Sequence, residues 1–149
     1  MPVDVLSSTT IARPRGEVAD YVVAPDSAPQ WYVNIKSARW ETEPPLRVGS
    51  RFAFEAQFLG RRLAYTYEVT EYVPGARLVM RTAQGPFPME TTYTFEDAAN
   101  GATRMTLRNR GEPAGFSRWM APFMAIAMRR ANRADLARLK GMLEADAAS

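Results

Sequence analysis

Apolar and polar positions alternate along most of this chain. Val3 to Ile11 places Val3, Val5, Ser7, Thr9 and Ile11 against polar or small neighbours, the period of a β-strand. Pro14 then falls near the first turn of a short helix carrying Val18, Val22 and Val23, and Pro25 stops it. Asp26 and Ser27 can cap a second short helical turn into Gln30, Trp31 and Tyr32. From Ile35 to Gly111 the period is two nearly throughout, interrupted at Pro44 and Pro45, Gly49, Gly60, Pro74 and Gly75, Gly85 to Pro88, and Asn100 with Gly101. The spacing predicts six further strands: Ile35–Thr42, Arg51–Phe58, Arg62–Tyr72, Arg77–Ala83, Met89–Glu96 and Thr103–Arg110. Connections this short require antiparallel neighbours.

The predicted strands agree on a buried face. With Gly60 and Arg61 as a two-residue turn, Phe58 pairs with Leu63. Phe52, Phe54, Ala56 and Phe58 then share a face with Leu63, Tyr65, Tyr67 and Val69. Leu78, Met80, Met89, Thr91, Tyr93 and Phe95 continue it, followed by Met105, Leu107 and Asn109. The opposite parity is charged, with Arg51, Glu55, Glu68, Arg81, Glu90 and Arg108 among its members. Such a sheet needs a cover on one side only. The cover is a helix from Ser117 or Pro122 to about Ala145, whose 25 or so residues would measure about 38 Å. Its first part, Ala121 to Met128, is apolar all round. Its second part sets Leu136, Leu139 and Leu143 against Arg129, Arg130, Arg133, Asp135, Arg138 and Lys140. The expected fold class is α+β: one domain over residues 1–149, a seven-stranded antiparallel sheet wrapped around a long C-terminal helix, with two short helices between strands one and two.

Composition narrows the chemistry. The chain has 149 residues, the size of one ordinary domain, and contains neither His nor Cys. A Cys nucleophile, a Ser-His-Asp relay, a His general base and thiolate or imidazole metal ligands are therefore excluded. No cofactor is expected, since no Gly-rich phosphate loop or dinucleotide fingerprint is present. The net charge of +3 rests on 17 Arg and 2 Lys. The Arg residues alternate along strands rather than clustering with exposed aromatics, which points away from nucleic acid. The N-terminus lacks the basic-then-apolar run of a signal peptide, and the longest apolar stretch is too short to span a bilayer, so a cytoplasmic location is the default expectation.

Several segments together carry a family resemblance. They are Arg13, Pro14, Glu17 and Val18 at the start of the first helix, Trp31 after the second, and Val48, Gly49, Ser50, Arg51 and Phe52. The Val69–Pro74 and Arg77–Leu78 hairpin and the Arg133–Leu143 tail complete the set. In these the chain resembles the SRPBCC superfamily, also called START-like or helix-grip, which includes polyketide cyclase/dehydrase-type proteins, lipid-transfer domains and the birch pollen allergen group. The resemblance implies a cavity between helix and sheet that holds a hydrophobic or amphipathic small molecule.

The inward face carries many hydroxyl and amide groups, Tyr65, Tyr67, Thr82, Thr91, Tyr93 and Asn109, and a buried hydroxyl without a partner costs about 1–3 kcal/mol. They either pair with one another or face a wet pocket. The expected ligand-binding wall takes Phe54, Phe58, Tyr65, Tyr67, Met80, Tyr93 and Asn109 from the sheet, with Phe123 and small Ala127 from the helix. Trp31, Trp40 and Trp119 read first as plugs at the ends of the core, while Trp31 and Trp119 are also candidate ligand contacts. The Met-rich segment beside Trp119 has a competing reading as a membrane-touching mouth or a dimer contact, so monomer and homodimer both stay open. Glu71 is the one inward-parity carboxylate of the strands. Three functions fit: a carrier or sensor of a lipid, polyketide or isoprenoid-like molecule; a cofactor-free polyketide cyclase or dehydratase working with Tyr and Arg; or a protein-binding adaptor of chaperone-activator type.

Overall fold

The computed structural model describes residues 3–58, 60–84, 88–111 and 121–147, without the side chains of residues 58, 61, 121, 122, 146 and 147. Strand β1 (Val3–Ile11) leads into α1 (Arg15–Val23), a 3-10 turn at Pro25–Ser27 and the single turn α2 (Ala28–Trp31). Then come β2 (Ile35–Trp40), β3 (Arg51–Phe58), β4 (Arg61–Val73), β5 (Arg77–Gln84), β6 (Met89–Asp97) and β7 (Thr103–Gly111). The chain closes with α3 (Ala121–Ala147). All neighbours are antiparallel, in the order β1-β7-β6-β5-β4-β3-β2, so the first strand closes onto the last.

The β3–β4 register departs from expectation by two residues. Phe58 faces Arg61 and Phe54 faces Tyr65, with Gly60 at φ 76° in the turn. A shift of two preserves which side chains point inward, because the pleat itself has a period of two. The predicted faces therefore survive: Phe52, Phe54, Ala56, Tyr67, Val69, Leu78, Tyr93, Phe95, Met105 and Leu107 are all buried. Glu71 does not join them. The β4–β5 register slips between Val69 and Glu71, which leaves Glu71 exposed and 3.3 Å from Arg77.

On the outer face the charges pair across strands. Arg51 meets Glu68 at 2.8 Å, Arg81 and Arg110 both reach Glu90, and Arg108 grips Asp4 through two nitrogens. Each exposed pair contributes at most about 1 kcal/mol, but together they fix the register of opposite strands.

Helix α3 spans the inner face, and its two halves are held differently. Leu136, Leu139 and Leu143 enter the main core beside Ile11, Trp31, Phe52 and Val69. Polar contacts lock the same half: Lys140 Nζ donates to the Thr10 carbonyl at 2.7 Å, the Ala12 amide donates to Glu144 Oε2 at 2.9 Å, and Arg138 donates to the Gln30 carbonyl at 2.8 Å. The first half rests on a separate small cluster of Val3, Val5 and Met124, edged by Met89, Ala125 and Met128. No helix among the described residues is long and apolar enough to cross a membrane.

Because Leu139 is fully buried in the locked half, Leu139→Ala should destabilise the fold by about 2–5 kcal/mol, read as a lower urea midpoint. The same truncation at exposed Leu6 should cost less than about 0.5 kcal/mol.

Candidate functional site

Between the two apolar clusters the inner face is not filled. A cavity of about 110 Å³ lies under α3. The sheet walls it with Phe54, Tyr65, Tyr67, Met80, Thr91, Tyr93 and Asn109, and the α2–β2 corner adds Ala28, Tyr32, Asn34 and Ile35. The helix contributes Met124, Met128, Ala131, Asn132 and Asp135. Phe54, Tyr65 and Tyr67 form a close aromatic cluster, with ring centres 5.1–5.9 Å apart. The lining is thus aromatic and methionine-rich, with a few polar groups, the usual make-up of a small-molecule site.

Most of the polar groups are spoken for. The hydroxyls of Tyr67 and Thr91 are 2.7 Å apart, Thr91 donates to Asn109 Oδ1 at 2.6 Å, and Asn109 Nδ2 donates to Asn132 Oδ1 at 3.2 Å. Thr91 has one proton and gives it to Asn109, so Tyr67 is the donor to Thr91. The relay therefore runs in one direction and ends on Asn132, whose Nδ2 is buried with no partner among the described residues. A second contact joins the Tyr32 and Tyr93 hydroxyls at 2.6 Å. Thr82 is occupied elsewhere, accepting from the Met89 amide at 2.9 Å and donating to the Met89 carbonyl at 3.1 Å.

Burial sets the protonation states. Desolvation pushes the phenols of Tyr32, Tyr65, Tyr67 and Tyr93 well above their ordinary value, so all four stay neutral. Asp135 behaves differently. It is 2% exposed, its carboxylate Oδ1 accepts the Val33 amide at 2.9 Å, and desolvation raises its pKa from 3.8 to about 6 against the opposing pull of that hydrogen bond and of Arg138. A buried, weakly compensated carboxylate in a cavity wall is the kind of group a binding or catalytic site retains.

The sequence matches the family model for polyketide cyclase / dehydrase and lipid transport over residues 2–144. The chain belongs to that family. Solved structures share its fold. A protein from Thermus thermophilus superposes with a TM-score of 0.82 at 17% identity, covering 96% of this chain and 98% of that one. The Zhui aromatase/cyclase from Streptomyces sp. R1128 gives 0.81 at 14% identity, covering 97% and 94%. A START superfamily protein from Mycobacterium smegmatis gives 0.77 at 16% identity, covering 95% and 97%. At these identities the likeness is one of fold. No curated protein sequence matches the chain.

In this family member, six of the expected wall residues meet at the cavity: Phe54, Tyr65, Tyr67, Met80, Tyr93 and Asn109. Three do not. Phe123 is 67% exposed, about 100° round the helix from Met124, which takes the inward place. Ala127 is half-buried at the flank of the helix, outside the lining, because the inward stripe runs through Met128 and Ala131 instead. Trp31 is fully buried behind the wall, its ring 3.9 Å from that of Tyr32, and supports the site rather than lining it. The Phe58 side chain and Trp119 lie outside the described residues. Asp135, which the sequence pattern groups with the polar face of the helix, is the main residue sequence reasoning missed. A signal was present: Asp135 is seven residues after Met128 and four before Leu139, positions on one helical stripe.

The raised pKa of Asp135 carries a stability signature. A folded-state value above the unfolded one means that the native chain holds the extra proton between pH 3.8 and about 6, so this group's contribution falls as pH rises through that window. The rise corresponds to about 3 kcal/mol. Asp135→Asn, which keeps an oxygen for the Val33 amide, should therefore stabilise the protein by about 1–3 kcal/mol at pH 7.5 and by little at pH 4. Urea unfolding of both proteins at the two pH values measures the difference, and an equal effect at both would contradict the burial of an ionised group.

Proposed function

We propose that the protein is a carrier or sensor that encloses a small apolar or amphipathic molecule between α3 and the sheet. The observation that supports this reading is the cavity itself, unfilled and walled by rings and methionines. Its free volume, about 110 Å³, is of the order that holds one benzene-sized ring. A ring or short chain fits directly. A lipid, a folded polyketide or an isoprenoid would need the wall to yield, and the end formed by Met89, Met124 and Met128 is made of the side chains best able to do so.

A second reading, a cofactor-free cyclase or dehydratase, gains support from Asp135, a carboxylate with a pKa of about 6 at the same cavity as the Tyr32–Tyr93 pair. Among the described residues no Arg lines the cavity, so an arginine-assisted version has no group in place. In an enzymatic reading the base is Asp135 and the phenols act only as hydrogen-bond donors.

Ethylbenzene serves as a minimal apolar ligand, with the labelled methyl groups of Met80, Met89, Met124 and Met128 as reporters by NMR. The parent should show saturable shifts at these methyls. Ala131→Phe, which fills the cavity from the helix side, should abolish them while leaving the melting temperature equal or higher. No shifts in the parent, together with a large fall in melting temperature on filling, would mean a close-packed interior and would overturn the reading.

A further inference from the structure

Two polar side chains that α3 brings to the cavity remain without full satisfaction among the described residues, and they sit one helical turn apart on the same face. Asn132 is 4% exposed, and its Oδ1 is occupied by Asn109 while Nδ2 has no partner among the described residues. Asp135 is bonded through Oδ1 to the Val33 amide, and Oδ2 has no hydrogen bond among the described residues. The first is a donor lacking an acceptor, the second an acceptor lacking a donor. Leaving the buried Asn132 donor unmet is costly, as is holding the Asp135 charge in a desolvated wall on a single hydrogen bond, and proteins keep such groups where something else completes them.

We propose that Asn132 and Asp135 form a donor–acceptor pair that selects a ligand bearing a carbonyl and, at about the separation of side chains one helical turn apart, a hydroxyl: a hydroxy-ketone or phenolic ketone. This rests on the ligand-binding reading above and adds the chemistry of the ligand to it. The carbonyl oxygen accepts from Asn132 Nδ2, and the hydroxyl donates to the Asp135 carboxylate. The direction at Asn132 follows from the one-way relay through Tyr67, Thr91 and Asn109, which uses up its oxygen and leaves its nitrogen. Rings and methionines at Phe54, Tyr65, Met80 and Met124 form much of the remaining wall.

The charged and titratable groups around Asp135 are Tyr32 after α2, Tyr93 on β6 and Arg138 on α3. The two phenols stay neutral across the working range, and Arg138 is bonded to the Gln30 carbonyl. The carboxylate itself is then the group that changes state. Its hydrogen bond from a ligand hydroxyl is strongest when ionised, so the hydroxyl's advantage should appear as pH rises past about 6.

Four single-ring probes separate the contributions: ethylbenzene, acetophenone, 3-ethylphenol and 3′-hydroxyacetophenone, whose meta groups stand about 5–6 Å apart and cannot bond to each other. Affinities come from methionine-methyl NMR titration of the full chain at pH 5 and pH 8. Acetophenone should bind about tenfold tighter than ethylbenzene at both pH values, and the hydroxy-ketone about tenfold tighter than acetophenone at pH 8 but not at pH 5. Asn132→Leu should erase the ketone's advantage alone, and Asp135→Asn the pH-dependent advantage of the hydroxyl alone. These ratios within one protein do not depend on the variant's stability, and should a variant fail to fold, the parent's ratios still decide. Equal affinity for all four probes would overturn the pair while leaving the cavity reading intact. So would a phenol preference that survives Asp135→Asn but is lost in Asn132→Leu. Failure of every probe to bind would overturn both readings.

Discussion

The seating of Leu136, Leu139 and Leu143 in the main core sets the rotation of α3, and the rotation of α3 decides what the cavity contains. A helix has one angular degree of freedom against a sheet. Once three leucines on one stripe are buried, the azimuth of every other residue follows at about 100° per step. The polar locks at Arg138, Lys140 and Glu144 act at the same end, so neither sliding nor turning is free there. Asn132 and Asp135 are carried inward by that geometry although their own transfer free energies oppose it. Among the described residues the apolar first half has no equivalent lock, and it is that half which borders the cavity with methionine.

How much of this could be read beforehand depended on whether a pattern carried phase. Strand parity did: alternation is binary, and even a two-residue error in the β3–β4 register left Phe54, Tyr65 and Tyr67 on the correct face. Among helical residues, Ala121 to Met128 is apolar on all sides and so supplies no angle, which is why Phe123 and Ala127 could be placed inward when the structure turns Met124 and Met128 there. The reverse error befell Asp135. Residue type suggested solvent, whereas its spacing from Met128 and Leu139 placed it on the buried stripe. Trp31 illustrates a third limit, since size and apolarity mark a residue as buried without telling a cavity wall from the layer behind it.

The hydrogen-bond direction in the cavity is likewise beyond the reach of periodicity. The row of hydroxyl and amide groups on the inner face was visible as an excess, and the excess had two resolutions, mutual pairing or a wet pocket. Both occur. Tyr67, Thr91, Asn109 and Asn132 satisfy one another down to a final nitrogen, and one of the Tyr32 and Tyr93 hydroxyls donates to the other, yet the cavity persists beside them. Pairing removes the desolvation cost of several of the polar groups and leaves the Asn132 nitrogen on the helix unmet. A lining in which many groups are internally matched discriminates more sharply through those that are not, because a ligand gains little from contacts already made.

The treatment of Asp135 argues that this residual mismatch is maintained rather than incidental. A guanidinium lies on the same helix three residues away, yet Arg138 turns outward to the Gln30 carbonyl and influences the carboxylate only at a distance. Had Arg138 bridged Asp135 directly, the carboxyl would have been held in the low range seen for Asp4 beside Arg108. Instead one amide hydrogen bond from Val33 orients the group, and burial leaves its charge expensive. In a domain whose net stability is about 5–15 kcal/mol, a group that weakens the empty protein by about 3 kcal/mol above pH 6 is a large concession. A buried acceptor of that strength becomes favourable only when a donor arrives beside it, so the empty cavity is the state in which the cost is felt, and an occupied one the state in which it is relieved.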